Sequence, residues 1–443
     1  MKRIAIIVLA AGLALGGCQT SHHVADELTT FNEAQQRGTS QLILLNILRA
    51  REKQPLAFSH FDVLRGGISG SASAGLAVPF GPGAAANSLA AGLGLAPGIS
   101  QDVKPQDDQD FYRGILTPIT EQTWALYQDQ NWSPDLLFHL FVEDIKLSQA
   151  DYDTVARNTA RLCTEHADVS DIAGLCAALE ESKARIAALP DCRPLMHLVA
   201  GKPLLEMSND PGDRCRLSQF EAFTQALSIL GFHIVQETSE SAIGPALGTG
   251  AFQDLKWPFA LKDSNIEIAG SASTYQIKRV SQQYGVALSN MPCPGRANVA
   301  LASTSQIGSE IRALNDADKA HGTGADDCAG RAPLEVRITT RSPDGMLYYM
   351  GEVARALLPL HPDQAPQSVT VRSGTGKRRA LLALVEDDLA DPAARVDYDG
   401  VIYSVPRGDD HVTMQTFELL QQVFALYNRA SVTPSTTAVT VVP

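Results

Sequence analysis

The thiol of Cys18 is the side chain near the N-terminus whose surroundings point to a specific chemistry. Lys2 and Arg3 form a positively charged start, and residues 4–15 are an apolar run. Leu15-Gly16-Gly17 then brings two small residues up to the cysteine. A short apolar run that ends in small residues is typical of a secretory signal peptide and is too short to span a membrane as a helix. Cleavage before Cys18 would leave its thiol on the first residue, where it could carry a lipid.

The sequence Leu15-Gly16-Gly17-Cys18 resembles the lipobox of bacterial lipoproteins. This resemblance implies cleavage before Cys18, a diacylglyceryl group on its thiol, and acylation of the new amine by a chain such as palmitate. Gln19 in place of Asp after the cysteine implies, by the same resemblance, sorting to the outer membrane. Because one acyl chain anchors weakly and several anchor firmly, we expect a lipid-anchored, periplasm-facing protein. Residues 1–17 are then the signal peptide and residues 18–30 the lipidated tether. The alternative is an ordinary signal peptide with a coincidental cysteine.

Six further cysteines could form disulfides. An even number of cysteines in an exported chain is typical of a disulfide framework. Six cysteines allow about 15 pairings, and the pairing favoured here joins neighbours, because each bond then closes a loop of modest length. It consists of Cys163–Cys176, Cys192–Cys215 and Cys293–Cys328. The alternative is a metal site formed by Cys163, His166 and Cys176, whose spacing matches no familiar zinc signature.

No segment of the sequence carries a recognised catalytic motif. Gly374-Thr-Gly-Lys377 resembles part of a phosphate-binding loop, but such a loop needs Ser or Thr after the lysine, and here Arg378 follows. The patterns G-x-S-x-G of hydrolases and H-E-x-x-H of zinc proteases are both absent from the sequence. Adjacent carboxylates such as Asp326-Asp327 are more typical of solvated or helix-capping positions than of a calcium site. We therefore expect no catalytic residue, no metal site and no cofactor, and a protein that is not an enzyme.

Composition and charge exclude several function classes. The chain has 443 residues, of which 44% are hydrophobic and 19% charged, so most of it should be globular. Its formal net charge of −13 argues against nucleic acid as a partner, because phosphate binding requires a clustered basic excess. No apolar run reaches the roughly 18–20 residues of a spanning helix, which excludes a polytopic helical membrane protein.

Residues 64–100 differ in composition from the rest of the chain, since Gly, Ala and Ser dominate them and no charge follows Arg65. Larger apolar residues recur at alternate positions on both sides of Gly81-Pro82-Gly83, and the positions between them carry mainly Gly, Ser and Ala. A period of two around a turn predicts an amphipathic β-hairpin. Its candidate membrane-facing residues are Ile68, Leu76, Val78, Phe80, Leu89, Leu93, Leu95 and Ile99.

Each predicted leg of this hairpin is long enough to cross a membrane as a tilted strand, which needs about 9–11 residues. Alternation of apolar and weakly polar residues is typical of barrel strands that face lipid on one side and a lumen on the other. One hairpin cannot close a barrel, so a ring of copies would be required. This design is similar to that of lipoprotein secretion pores whose barrel is built from hairpins of several protomers. The alternative is a flexible loop or a small periplasmic sheet, because Gly-rich strands are weak.

Apolar periodicity predicts helices on either side of the hairpin. Residues 31–63 form an N-terminal region with a helix over residues 31–53, which Pro55 ends. Residues 101–232 are predicted to be a mostly helical, disulfide-bearing domain. One of its helices is expected to begin after Ser133 and to continue through Val142 and Ile145.

The rest of the chain is predicted to contain several strands. Residues 233–330 are mixed and loop-rich. Residues 331–443 are expected to form an α+β domain in the order β-α-β-β-β-α, with an antiparallel sheet, two covering helices and an extended tail. One hairpin of this domain is expected between Ser368 and Glu386. The Thr- and Val-rich tail that begins at Val432 could add a strand to a sheet edge, in the same copy or in a neighbour.

The sequence therefore predicts an α+β protein with a lipidated N-terminus. Residues 41–50 (QLILLNILRA) and 341–352 (RSPDGMLYYMGE) resemble uncharacterised bacterial envelope lipoproteins, a resemblance that implies no activity. We expect a structural or assembly component of the cell envelope that contacts the membrane through acylated Cys18 and also contacts proteins or further copies of itself. In its sharper form this component is a subunit of an oligomeric pore. The alternative is a monomeric periplasmic lipoprotein that binds a glycan, a peptide or a protein.

Overall fold

The computed structural model describes helices and strands along most of the chain. It covers residues 29–30, 32–74, 91–105, 109–167, 169–199, 201–242, 247–248, 266–270, 274–291, 297–302, 334–361, 364–372 and 377–427. The chain divides into two compact units. Unit 1 comprises Met1–Gln54 and Ile115–Asn428, and unit 2 comprises Pro55–Gly114 and Arg429–Pro443. Because helices and sheets both contribute to the described residues, the predicted α+β class is confirmed.

The described residues contain helices of both units, and all except Gln109–Ile115 lie in unit 1. They are α1 (32–51), α2 (Gln109–Ile115), α3 (Glu121–Asp129), α4 (Pro134–Phe141), α5 (Gln149–Glu165), α6 (Ser170–Ala188), α7 (Arg214–Ile229), α8 (Pro343–Leu357) and α9 (Thr413–Tyr427). Side chains of Ser148, Asp213 and Ser342 accept backbone hydrogen bonds at the starts of α5, α7 and α8. Across the part of the chain that is described, no helix combines the length and the apolar character needed to cross a membrane.

The strands form one five-stranded sheet and several smaller ones. They are β1 (Ser59–Ala74), β2 (Ala91–Pro105), β3 (Val142–Leu147), β4 (Leu195–Val199), β5 (Lys202–Ser208), β6 (Phe232–Ala242), β7 (Leu247–Gly248), β8 (Ile266–Gly270), β9 (Thr274–Leu288), β10 (Ala297–Ala302), β11 (Leu334–Thr340), β12 (Thr370–Arg372), β13 (Arg378–Ala380), β14 (Ala394–Tyr398) and β15 (Val401–Val405). The five-stranded sheet has the order β10-β11-β3-β5-β4, in which only β10 and β11 are parallel. A second sheet is arranged along β9, which pairs with β6, β7 and β8.

Helix α1 confirms the N-terminal helix predicted over residues 31–53. Its buried stripe consists of Ile43, Leu44, Ile47 and Leu48, which recur at the spacing of one helix face. Pro55 lies just beyond its end, as the sequence predicts.

The helix predicted to continue through Val142 and Ile145 is wrong in its last turns. Helix α4 ends at Phe141, and the next residue begins strand β3. Val142, Ile145 and Leu147 are buried within a six-residue strand that pairs with β11 on one side and β5 on the other. A short apolar run fits a helix or a buried strand equally well, and here pairing with two distant strands decides between them.

The strands of residues 331–443 are distributed among three sheets. Strand β11 joins the five-stranded sheet, while β12 with β13 and β14 with β15 form separate antiparallel pairs. The predicted hairpin between Ser368 and Glu386 is present, but its second strand is Arg378–Ala380. The structure adds β14, which the sequence analysis does not predict.

Two of the three predicted disulfides are present, and both hold helix α6. Cys163–Cys176 joins α5 to α6, and Cys192–Cys215 joins the segment after α6 to the start of α7. Because Cys163 and Cys176 are bonded to each other, the alternative metal site with His166 is wrong. Cys293 and Cys328 lie outside the described residues.

Helix α1 packs tightly against helix α8 at Gly351. A Cβ atom at Gly351 would lie 2.6 Å from the carbonyl carbon and from the Cβ of Ala50. The Arg355 guanidinium of α8 also donates to the backbone carbonyl of Arg51. Residues 41–50 and 341–352 therefore adjoin each other in the fold.

The close approach at Gly351 predicts that Gly351→Ala destabilises unit 1 by about 1–3 kcal/mol, because the backbone of α1 cannot yield as a side chain can. Urea unfolding followed by tryptophan fluorescence measures this loss. The matched control is Gly345→Ala in the same helix, where the nearest atom to an added Cβ is 3.4 Å away. We expect this control to leave stability unchanged or to raise it, since Ala favours a helix over Gly. Equal stabilities of the two variants would contradict the packing argument.

Candidate functional site

Unit 2 contains the predicted hairpin, and its two strands are longer than the sequence analysis indicates. Strands β1 and β2 pair antiparallel from Ser59 opposite Pro105 to Ala74 opposite Ala91. The pairing therefore extends about five residues beyond the predicted limits of 64 and 100 on each leg. The register shifts once, between Phe61 and Val63, which marks a β-bulge at Asp62.

The register places the predicted apolar positions of both legs on one face of the ladder. Ile68 lies opposite Pro97, Gly70 opposite Leu95, Ala72 opposite Leu93, and Gly66 opposite Ile99. The pairs between them are Gly67 with Gly98, Ser69 with Ala96, Ser71 with Gly94, and Ser73 with Gly92. Directly opposed residues of antiparallel strands share a face. Over residues 66–74 and 91–99 the two faces of the ladder therefore differ in composition: one carries the large apolar residues and the other only Gly, Ser and Ala.

The charged residues of the hairpin end at one level of the ladder. Residues 66–101 contain no Asp, Glu, Lys or Arg. Arg65 is the last charge on β1, and Asp102 is the first charge on β2. The register pairs Arg65 with Ser100 and Val63 with Asp102, so these two charges are separated by one two-residue step along the ladder. Beyond that level both strands are uncharged as far as the structure describes them.

Only part of the predicted site falls within the described residues. Ile68, Leu93, Leu95 and Ile99 lie on the paired strands. Leu76, Val78, Phe80, Leu89 and the lipidation site Cys18 lie outside the described residues.

An aromatic pair lies at the base of the hairpin. Phe58 immediately precedes β1, and Phe111 lies in α2 after β2. Their ring centroids are 5.2 Å apart in an edge-on arrangement, which joins the two ends of the hairpin within unit 2. A two-stranded hairpin remains only marginally stable in water without further strands or a packed face. The geometry of unit 2 is therefore that of an element suited to further partners.

The side chain of Arg341, at the junction of β11 and α8, is the centre of a buried polar cluster in unit 1. Its Nη1 donates to the carbonyl oxygens of His139, at 3.0 Å, and Val142, and its Nη2 donates to that of Asn209 at 3.1 Å. The guanidinium lies 4.0 Å from the ring centroid of Tyr349. The Asn209 amide donates to the same two carbonyls, of His139 at 2.8 Å and Val142 at 3.0 Å.

These hydrogen bonds explain why α4 ends where it does. The carbonyl groups in the last turn of a helix have no partner inside the helix. Asn209 and Arg341 supply donors to the carbonyls at this end, and a cation there also suits the helix dipole. The chain can therefore leave the helix at Phe141 and enter β3 without burying unpaired carbonyls.

Burial shifts the pKa values of this cluster in a consistent way. It lowers the pKa of Arg341 to about 10, so the guanidinium stays charged at neutral pH. Burial also lowers the pKa of His139, against the opposing effect of the Asp135 carboxylate. It raises the pKa of Tyr349, whose hydroxyl lies 3.2 Å from His139 Nδ1. At neutral pH the cluster therefore contains a charged arginine beside a neutral histidine and a neutral tyrosine.

A second polar cluster joins the β12–β13 pair to helices α6 and α7. The Glu221 carboxylate, only 4% exposed, accepts from Arg185 at 2.5 Å and from Arg378 at 2.6 Å. Glu181, 51% exposed, lies 3.2 Å from Arg372 and 3.3 Å from Arg378. Helix α6 thus carries Glu181, which pairs with Arg372 of β12 and Arg378 of β13, and Arg185, which pairs with Glu221 of α7.

Both clusters have the properties of structural sites. Their cations are engaged by backbone carbonyls or by carboxylates of this chain. Over the described ranges, no group of three or more His, Cys, Asp or Glu is placed to hold a metal ion. The hairpin of unit 2 is therefore the stronger candidate for function.

The sequence analysis missed both polar clusters. Glu221 lies between Phe220 and Phe223, which are both buried. A single charged residue among apolar residues of a helix could have indicated that Glu221 is buried. No comparable signal marks Arg341, because its partners lie about 130 to 200 residues away in the sequence.

Comparison with known proteins adds no relative: no family model matches the chain, and no curated protein or solved structure is significantly similar to it.

The lowered pKa of His139 predicts a loss of stability as the pH falls below about 6.5. The unfolded chain then binds a proton that the folded chain resists, so stability declines by up to about 1.4 kcal/mol per pH unit. Urea midpoints between pH 7.5 and 5.5 measure this slope. His139→Phe should flatten it. An equal slope in His139→Phe and the unmodified protein would show that His139 is not the group responsible.

The difference in exposure between the two glutamates predicts unequal effects of removing them. Glu221→Gln should cost about 3 kcal/mol of unfolding free energy, because it removes the buried carboxylate that Arg185 and the mostly buried Arg378 share. Glu181→Gln should cost less than about 1 kcal/mol, because solvent screens an exposed ion pair. Denaturant unfolding of the two variants side by side makes the comparison, and a larger loss in Glu181→Gln would reverse the assignment.

Proposed function

We propose that this chain is an outer-membrane lipoprotein, anchored through acylated Cys18 and facing the periplasm, which forms a ring-shaped pore from its hairpins. The observation that carries the proposal is the hairpin register, which gives the ladder two chemically different faces and one level at which charge ends. The proposed role is non-enzymatic, and the partners are the membrane and further copies of the chain.

The length of the uncharged strands suits a bilayer. From Gly66 to Ala74 the described part of β1 rises about 26 Å at about 3.3 Å per residue. A strand tilted by about 40° then covers most of the apolar band, roughly 25 Å tall, of a membrane barrel. Arg65 and Asp102 lie within two residues of each other along the strand direction. One membrane surface could therefore cross both strands near these two residues, with the charged ends of the strands in water and the uncharged stretches in lipid.

The two faces of the ladder suit lipid on one side and water on the other. Ile68, Leu93, Leu95 and Ile99 share the face that we assign to lipid. The small residues between them, Ser69 and Ser71 among them, belong to the face that we assign to the lumen. Apolar-out and polar-in alternation is the pattern of barrel strands in membranes.

Closure requires more than one copy of the chain. Within the residues that the structure describes, β1 and β2 pair only with each other, so each strand has one edge without a ladder partner. An open strand edge is not tolerated in lipid, because its backbone groups would have no hydrogen-bond partner. A ring of hairpins from identical copies removes every edge.

A second candidate function is protein binding by a monomer, and strand β4 favours it. This strand lies at one end of the five-stranded sheet, and its register places Met196 opposite the buried Leu205. Met196 is nevertheless 56% exposed, and Leu198 on the same face is 78% exposed. An apolar edge strand of this kind can accept an extended peptide as a further strand.

The first test is the native mass of the full-length acylated protein in mild detergent, beside a variant that lacks residues 59–105. We expect a large uniform oligomer that is lost on deletion, because the hairpin supplies the strands of the shared barrel. Unit 1 should remain folded in the variant, which its tryptophan fluorescence and urea midpoint can verify. A monomer in both samples would refute the ring and direct attention to β4.

A matched pair of substitutions tests the assignment of the two faces. Leu93→Asp should reduce membrane insertion and oligomer yield at least tenfold, since a charged side chain that faces lipid is destabilising. Ser71→Asp lies one step along the ladder on the other face and should be tolerated, with a change in ion selectivity measured in planar bilayers. Equal effects of the two substitutions would contradict the assigned faces.

A further inference from the structure

The two open edges of the hairpin have opposite charges at the point where the uncharged stretch begins. Arg65 is the last charged residue of β1, and Asp102 is the first of β2. In a ring of hairpins, β1 of one copy adjoins β2 of the next, and the two strands are antiparallel because strand direction alternates around the ring. The β1 edge, which carries the cation Arg65, then meets the β2 edge of the neighbouring copy, which carries the anion Asp102.

From this arrangement we infer that copies join edge to edge with Arg65 of one copy opposite Asp102 of the next, and that this pair sets the register of the ring. The inference rests on the proposed function, since it concerns how the hairpins of that ring meet. The occupant of each hairpin edge is thus a second copy of this chain. Opposite charges at an interface select the correct partner and fix its register more than they add affinity.

The pairing is compatible with the two faces of the ladder. Within one copy Arg65 lies opposite Ser100, and Asp102 is two residues further along β2. The register between copies would therefore differ from the register within a copy by two residues. An odd difference would turn the apolar residues of neighbouring copies to opposite faces, whereas an even difference keeps them all on one face.

The same two-residue difference is compatible with closure of a barrel. Each hairpin contributes two strands and would shift the register by two residues. The total register shift around the barrel, which is called its shear, then equals the number of strands. An eight-stranded barrel of shear 8 has the same ratio, and its strands tilt by about 36° from the barrel axis. Typical barrels have tilts of about 35–45°, so the charge pair and the geometry of closure agree on one register.

Charge reversal tests the pair. Arg65→Glu leaves two anions at each junction between copies, and Asp102→Lys leaves two cations, so each variant alone should lose most of its ring assembly. We expect the fraction that migrates at the ring's native mass in mild detergent to fall at least fivefold in each. The double variant Arg65→Glu/Asp102→Lys should recover the ring. Glu335→Lys, an exposed charge change in unit 1, is the control and should assemble normally.

Co-expression of the two single variants with different affinity tags separates pairing between copies from pairing within one hairpin. In an alternating ring each junction again joins opposite charges, whereas each individual hairpin still carries like charges. Rings that contain both tags are therefore expected. Recovery in the double variant without recovery on co-expression would overturn the inference in favour of a pair within one hairpin.

The remaining outcomes separate this inference from the proposed function. If the unmodified protein forms rings and both single variants form them equally well, the charge pair is refuted and the ring stands. If the unmodified acylated protein is a monomer, the ring is refuted and the inference with it. Tryptophan fluorescence of unit 1 in every sample shows whether a loss of assembly is a loss of folding.

Discussion

Burial of the Arg341 guanidinium is the interaction on which the arrangement of unit 1 depends. The side chain stands where β11 gives way to α8, and its donors reach carbonyls of α4, of β3 and of the segment after β5. A charged group taken out of water is tolerated only when its donors are satisfied. Every segment that supplies a carbonyl is therefore held to the others, and the helix-to-strand change at Val142 follows from those contacts.

The same constraint recurs around helix α6, where covalent and ionic contacts act together. Two disulfides hold the helix to α5 and to the start of α7, and its inner surface presents Arg185 to the buried Glu221. Arg378 reaches the same carboxylate from β13. The disulfides limit the freedom of the unfolded chain, and the shared carboxylate fixes how the helices and the β12–β13 pair meet. Unit 1 is thus a framework in which buried charge is paired.

The hairpin of unit 2 differs from unit 1, where buried charges are paired, because its residues 66–101 include no charged residue. Over residues 66–74 and 91–99 its ladder separates large apolar residues from small ones. A strand pair of this composition is suited to lipid and to neighbouring strands more than to water. The proposed pore and the proposed Arg65–Asp102 junction both follow from this difference between a charged framework and an uncharged hairpin.

Local patterns of the sequence determined a substantial part of this protein. The stripe of α1, the cap Ser342, the alternation on β1 and β2, and the neighbouring cysteine pairs all depend on residues close together in the chain. Periodicity, capping and short loops are legible for that reason.

Tertiary structure alone decided the features that join distant segments. Val142 became a strand residue because β5, β11 and Arg341 meet it, and Glu221 was buried because Arg185 and Arg378 converge on it. The stagger between the legs of the hairpin, which places Arg65 and Asp102 near one level, likewise emerged only from the strand pairing. Contacts over such separations leave no period in the sequence, so the physical reason for each lies in packing and charge compensation across the fold.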